Sequence, residues 1–186
     1  SGPRIKVRFF AGYNLEGSKL DDLSLIQDAY AKNTPMGGTI IHEKNNSPRF
    51  LVWAISDPLG APLQRAQIIK GWLEDGEQRE KVFDVACSDG LSVDPITYRC
   101  PDNDAMVNLN DCSISSDKGD FEIKTFWKDP EFRQDQDAFY YSRVLENPTC
   151  RWSTWDAMRD NESPRSDIPT TIQERAWSSP IWYTQR

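Results

Sequence analysis

AFYYSRVLENPTCRWSTWDAMR, residues 138–159, is the stretch whose reading decides the fold. Phe139, Tyr141, Arg143 and Leu145 alternate with Tyr140, Ser142 and Val144, which is the period of a strand, and the large side chains on both sets predict a central strand packed on both faces. Asn147-Pro148 stops the ladder, because proline has no amide hydrogen to donate, and Cys150 follows where a crosslink can pin the strand end. Beyond it, Arg151-Trp152-Ser153-Thr154-Trp155 brings a guanidinium, two indoles and two hydroxyls into a loop or short helix, the first place to look for a working surface.

Outward from this strand the chain repeats the same signal. Ile5, Val7 and Phe9 alternate with Lys6, Arg8 and Phe10 in an opening strand at 5–10 that Ala11-Gly12 ends. Leu20, Leu23, Ile26 and Tyr30 recur at helical spacing, with Asp21 and Asp22 in the first turn, Lys32 in the last and Pro35 beyond, so a short helix is expected there as the one long helix. Strands follow at 39–41 and 50–56, joined by the polar turn 42–48, and another runs through 64–73. Asp75-Gly76 is the signature of a tight hairpin, which delivers 81–86 as the antiparallel partner. Residues 87–119 turn polar and rich in Asp, Asn, Ser and Pro, too long for a simple connection. Phe121, Ile123, Thr125 and Trp127 alternate again, and the chain closes with 174–183, where Pro180 marks a bulge or an edge. Short strands, one helix and many turns predict a single antiparallel β-sandwich of immunoglobulin-like type across 1–186.

The formal charge of −7 and the absence of any basic run exclude a nucleic-acid partner from the expectation. No apolar run approaches the ~18 residues that a membrane span needs. The chain starts directly on a strand, with neither an initiator Met nor a leader, as a mature product or a fragment of something longer would. Four cysteines, Cys87, Cys100, Cys112 and Cys150, lack the CxxC spacing of a zinc site and suit disulfides in an oxidising compartment. Three pairings are open; Cys100 with Cys112 closes the polar excursion locally and Cys87 with Cys150 ties two strand ends, and this is the pairing expected.

Few residues offer catalysis. The lone histidine, His42, lies in the polar turn HEKNNSP and reads as a solvated loop residue rather than a base beside a nucleophile. Carboxylates such as Glu74/Asp75 and Asp102/Asp104 are sequence neighbours in turns, whereas glycoside hydrolysis needs two held across a cleft. Asp102, Asn103, Asp104, Asn108, Asn110 and Asp111 carry oxygen ligands that suit calcium but lack the glycine and spaced glutamate of an EF-hand, so Asx turns are the simpler reading. Trp152, Trp155, Trp177 and Trp182 lie near Arg151, Arg159 and Arg175 in sequence; indoles stack on sugars and arginines clamp anions. Against that stands a structural use, with most tryptophans filling the core and Arg143 and Arg175 in ion pairs, and this is the expectation carried forward.

Six phrases carry a resemblance: SGPRIKVRFFAG, PMGGTI, DPLGAPLQRAQIIKGW, VFDVACSDG, FYYSRVLENPTCRWSTWDAMR and QERAWSSPIWYT. Together they resemble the C-terminal part of the bacterial family called domain of unknown function 3604, through essentially the whole chain. The resemblance implies an exported protein, periplasmic or extracellular, whose N-terminal part is similar to the polymerase-and-histidinol-phosphatase (PHP) metal-dependent hydrolases and binds divalent metal through His-rich motifs. No stretch here carries those motifs, so the resemblance implies an accessory domain without a cofactor of its own, partnered with that hydrolase-like domain, and hydrolase activity is not carried over to these residues. The alternative is a binding module for a carbohydrate or another anionic ligand. In either case the side chains singled out are Arg4, where residues 1–4 would meet the preceding domain, and Arg151, Trp152 and Thr154 after the central strand.

Overall fold

The computed structural model describes residues 2–15, 20 and 24–185. In chain order these form β1 (Lys6–Gly12), α1 (Leu25–Lys32), β2 (Thr34–Pro35), β3 (Thr39–Ile41), β4 (Arg49–Ile55), β5 (Leu63–Glu74), β6 (Glu77–Cys87), β7 (Glu122–Lys128), β8 (Ala138–Glu146), β9 (Thr149–Cys150), α2 (Trp152–Arg159), β10 (Thr171–Ile172), β11 (Arg175–Trp177) and β12 (Ile181–Thr184). The chain is therefore mainly β, as its alternation predicts. Of the expected first helix, Leu23, Asp21 and Asp22 lie outside the described residues, and 25–32 is helical as its spacing requires. It is matched in length by α2, so it is not the one long helix.

Two sheets enclose a shared core. One is antiparallel in the order β2-β1-β4-β7; the other runs β3-β12-β8-β5-β6 with β11 also on β8, and only its β3–β12 pair is parallel. Phe9, Phe50, Val52 and Ile123 from the first meet Ile68, Tyr140, Val144, Ile181 and Tyr183 from the second in one buried cluster. The hairpin between β5 and β6 turns on Asp75 and Gly76, both at positive φ (53° and 80°), which is the conformation that the Asp-Gly pair favours.

The strand β8 is central, with β5 along one edge and β11 and β12 end to end along the other. Between those two, Ser178 keeps the ladder going: its amide donates to Ser142 O and its hydroxyl accepts from Ser142 N, both at 2.9 Å, before Pro180 interrupts the pairing. One feature of β8 differs from its sequence reading. Ala138, Tyr140, Ser142 and Val144 are buried, whereas Phe139, Tyr141 and Arg143 are only half-buried, because among the described residues neither a sheet nor a helix covers that second face.

Two disulfides form, but neither is the expected one: the pairs are Cys87–Cys100 and Cys112–Cys150, rather than Cys100–Cys112 and Cys87–Cys150. The reason is the path of the excursion. It doubles back onto β6, where Asp84 N donates to Tyr98 O at 3.0 Å and the Asp84 carboxylate accepts from Cys100 N at 2.7 Å, so Cys100 lands beside Cys87. Cys112 is then left to reach Cys150 at the end of β9.

The tryptophans are not core. None of the seven belongs to the buried set; Trp72 and Trp127 pack against the core partly exposed, while Trp152, Trp155, Trp177 and Trp182 are exposed. Phenyl and phenol rings fill the interior instead, with Phe50 packed 4.5 Å from Tyr140 and 5.7 Å from Phe9, centroid to centroid.

A charged pair sits in this interior. Lys70, on the core side of β5, donates to Asp129 Oδ2 at 2.6 Å and Glu131 O at 2.8 Å, and Tyr140 donates its hydroxyl to the same Asp129 oxygen at 2.8 Å. Both members of the ion pair are buried. Removing one partner strands the other's charge, so Asp129→Ala should cost about 3–5 kcal/mol of stability, while Lys70→Met/Asp129→Leu together should recover most of it. Urea unfolding of the single and double variants checks this; a harmless Asp129→Ala would show that the pair does not hold the sheets.

Candidate functional site

The outer face of the six-stranded sheet ends, beside the last residues of β8, in a hollow of about 520 Å³. Three arginines line it, Arg65 from β5, Arg151 from the α2 N-cap and Arg175 from β11, together with Gln64, Gln173 and one acid, Asp102. Each guanidinium is anchored through Nε to a protein oxygen: Arg65 to Gln64 Oε1 at 2.9 Å, Arg151 to Pro169 O at 3.1 Å and Arg175 to Gln173 O at 3.3 Å. Arg65 is spent further on Gln64 and on Asp84 Oδ2 at 3.2 Å. Among the described residues, Arg151 and Arg175 pair with no carboxylate, which leaves their terminal nitrogens for a ligand. The expected ion pairs of Arg143 and Arg175 are thus not formed; Arg143 Nε donates to the neutral amide oxygen of Gln67 at 2.6 Å.

Gln64 and Arg65 tie the hollow into a polar network on β5, β6 and the excursion. Asp84 accepts from Gln67, Arg65 and Cys100 N, and Gln64 donates to Asn103 Oδ1 at 3.0 Å. Asn103 in turn donates to Asp89 and Asn147, both at 2.9 Å. A β-bulge between Ala66 and Gln67 brings Asp84 opposite Gln67, so the ladder irregularity is what aims these groups. The Cys112–Cys150 bridge and the β9–β10 pairing place Arg151, whose amide donates to Thr170 O at 2.9 Å.

Of the residues singled out from sequence, Arg151 lines the hollow and Trp152 stands next to it, 73% exposed, on the first turn of α2. Thr154 is buried, and its hydroxyl donates to Thr170 O at 2.7 Å, so it fixes the helix rather than facing a ligand. Arg4 lies elsewhere; it is exposed, and its backbone amide donates to Asp57 Oδ2 at 2.7 Å. Sequence reasoning did not mark Arg65, Gln64 or Gln173. Only their alternation as strand residues was visible, and a hollow formed by four separate segments leaves no local signature.

His42 is not free in solvent. Its Nδ1 lies 2.9 Å from the Tyr183 hydroxyl, which donates to Gln134 O at 3.0 Å, so Nδ1 carries the hydrogen of the pair. Burial pushes the Tyr183 phenol up to about 12. The Asp- and Asn-rich excursion is built of Asx turns: Asp102 Oδ1 accepts from Asp104 N, Asn108 Oδ1 from Asn110 N and Asp111 Oδ1 from Ser113 N. Among the described residues no three His, Cys, Asp or Glu side chains are close enough to hold a metal ion.

The fold and site define a disulfide-bonded, mainly β protein that presents an arginine-lined hollow on an open sheet face. Residues 1–185 match the family described as "Protein of unknown function (DUF3604)", and the chain belongs to that family. Neither a curated protein nor a solved structure gives a match.

Behind the hollow, Glu146 ends β8 with its side chain sealed: it is 1% exposed and Oε1 has no hydrogen-bond partner. Desolvation, then the nearby carboxylates of Asp57 and Glu174, push its pKa up to about 7, against an Ala61 amide that stabilises the charge. The folded state therefore holds this proton more tightly than the unfolded chain, so the contribution is fully present below the ordinary glutamate pKa and is lost as pH rises to about 7. We expect unfolding free energy to fall by up to about 3 kcal/mol across that window. Glu146→Gln should remove the slope and stabilise the protein at pH 8; denaturant titrations at several pH values test it, and an unchanged slope in the variant would refute the assignment.

Proposed function

We propose that this chain is a non-catalytic β-domain that captures an anionic group in the hollow of Arg65, Arg151 and Arg175. The observation that carries this reading is the pair of guanidiniums, Arg151 and Arg175, fixed through Nε with no carboxylate partner among the described residues. Arginines held in this way are pre-organised for a carboxylate, sulfate or phosphate, because little side-chain entropy remains to be lost on binding. Exposed Trp152 and Trp177 flank the charge. The resemblance to longer family members supports a reading in which the domain is the accessory C-terminal part of an exported protein, alongside a PHP-like metal-dependent hydrolase whose divalent metal would belong to that other part. Two disulfides are compatible with such a compartment. The two sheets around one core, joined mostly by antiparallel pairing, support an immunoglobulin-like sandwich.

Sulfate and glucuronate, titrated calorimetrically at low ionic strength, are the probes. Arg151→Ala and Arg175→Ala should each weaken binding about tenfold without changing thermal stability. Equal affinity in the double variant would exclude the hollow as the site. The accessory role has its own check: with added divalent metal, this chain alone should give no phosphoester turnover, and clear turnover would overturn it.

A further inference from the structure

The hollow is one end of a longer surface. Residues opposite one another in an antiparallel pair point to the same side, and Arg175, Trp177 and Trp182 lie opposite Leu145, Arg143 and Phe139 of β8. All three therefore project from the outer face. Trp177 and Trp182 are 57% and 50% exposed. Their partners are four residues apart on β8, about 13 Å, and the run from Arg175 to Trp182 covers roughly 20 Å, the length of several sugar rings. Between them the surface is paved with rings: Phe139 lies over Gly71, where any Cβ would come within 2.2 Å of it, and sits 5.3 Å from Trp182 and 6.4 Å from a nearly parallel Tyr141. Beyond Trp182 opens a second hollow of about 1220 Å³, rimmed by Gln78, Gln136, Asp135, Asp137 and Arg133.

We propose that this face is a continuous track for an acidic oligosaccharide, with a uronate or sulfate in the arginine hollow and neutral rings stacked along Trp177 and Trp182. The inference rests on the anion-binding reading of the hollow and specifies its ligand. Charge complementarity gives the direction. Three arginines and one acid line the first end, while at the other Arg79 and Arg133 are paired with Glu74 and Asp135 and outnumbered by the acids, so that Asp137 and its neighbours accept sugar hydroxyls and disfavour a second anion. A strand-like peptide has no free backbone edge to join here, because β8 is paired on both sides. Nucleic acid is disfavoured by the net charge of −7.

The test is calorimetry of the intact chain against glucuronate and against uronate-bearing and sulfated oligosaccharides from disaccharide to octasaccharide, with neutral oligosaccharides as controls. At least one acidic series should gain about tenfold or more in affinity with length. Trp182→Ala should abolish that gain and leave glucuronate binding unchanged, Trp182→Phe should keep it, and Arg151→Ala should weaken both. Binding through the arginines with no gain in any series, a gain that survives Trp177→Ala/Trp182→Ala, or an equal gain for the neutral series would overturn the track while leaving the hollow. Insensitivity of all ligands to Arg151→Ala/Arg175→Ala would instead overturn the hollow beneath it.

Discussion

A lysine in the middle of an apolar core is the constraint from which the rest of this architecture follows. Lys70 sits among core residues of β5 at 3% exposure, where an unpaired ammonium would cost several kcal/mol. It is tolerated because Asp129, Glu131 O and the faces of Trp72 and Tyr140, at 5.4 and 5.8 Å, surround it. Asp129 follows directly after β7 of the other sheet. The pair therefore clamps the two sheets at one end and draws the segment from Asp129 onward across the core, where Glu131 is also reached by Lys81 from β6. With the inner side committed in this way, β8 must present Phe139, Tyr141 and Arg143 outward.

The opposite end of the sheet is held differently. The excursion after β6 contributes only Cys100 and Cys112 to the buried apolar set, so its order comes from two disulfides, from Asx turns and from the carboxylate of Asp84. Asp84 and Asn103 are both buried and both hydrogen-bonded to several segments at once. Such a network is costly if any member is missing and rigid when complete. Rigidity here has a consequence for the surface above it: Arg65 is locked as a wall, and the two guanidiniums beside it are left with unspent donors.

How much of this was legible in the sequence depends on the distance over which the deciding interaction acts. The alternation of β8 and the Asp-Gly turn are set by neighbouring residues, and both were readable. Alternation gives two faces but not which of them is inside, so the sequence alone favours the core for these large apolar indoles. In the fold, Phe9, Phe50, Tyr140 and Tyr183 occupy that space, Trp72 and Trp127 only border it, and Trp177 and Trp182 take the uncovered side. Disulfide pairing failed for a similar reason, since it depended on the excursion folding back upon β6 through Asp84, a contact that sequence spacing does not encode. The hollow was half visible: Arg151 stood out beside its tryptophan, whereas Arg65 and Arg175 become its neighbours only through strand register.

The anion site proposed for this acidic chain also constrains how its ligand would be recognised. With a net charge of −7, the molecule as a whole repels anions, so the long-range field does not guide them to the arginines. Screening confines the attraction of the hollow to about 8–10 Å at moderate salt. Recognition must then be made at contact. There, two anchored guanidiniums reward a planar or tetrahedral anion, and a flat aromatic surface adds affinity that salt does not screen. A small free anion gains only the first of these, whereas a ligand that joins an anion to stackable rings gains both, so the overall charge of the chain acts as a filter against the simplest competitors.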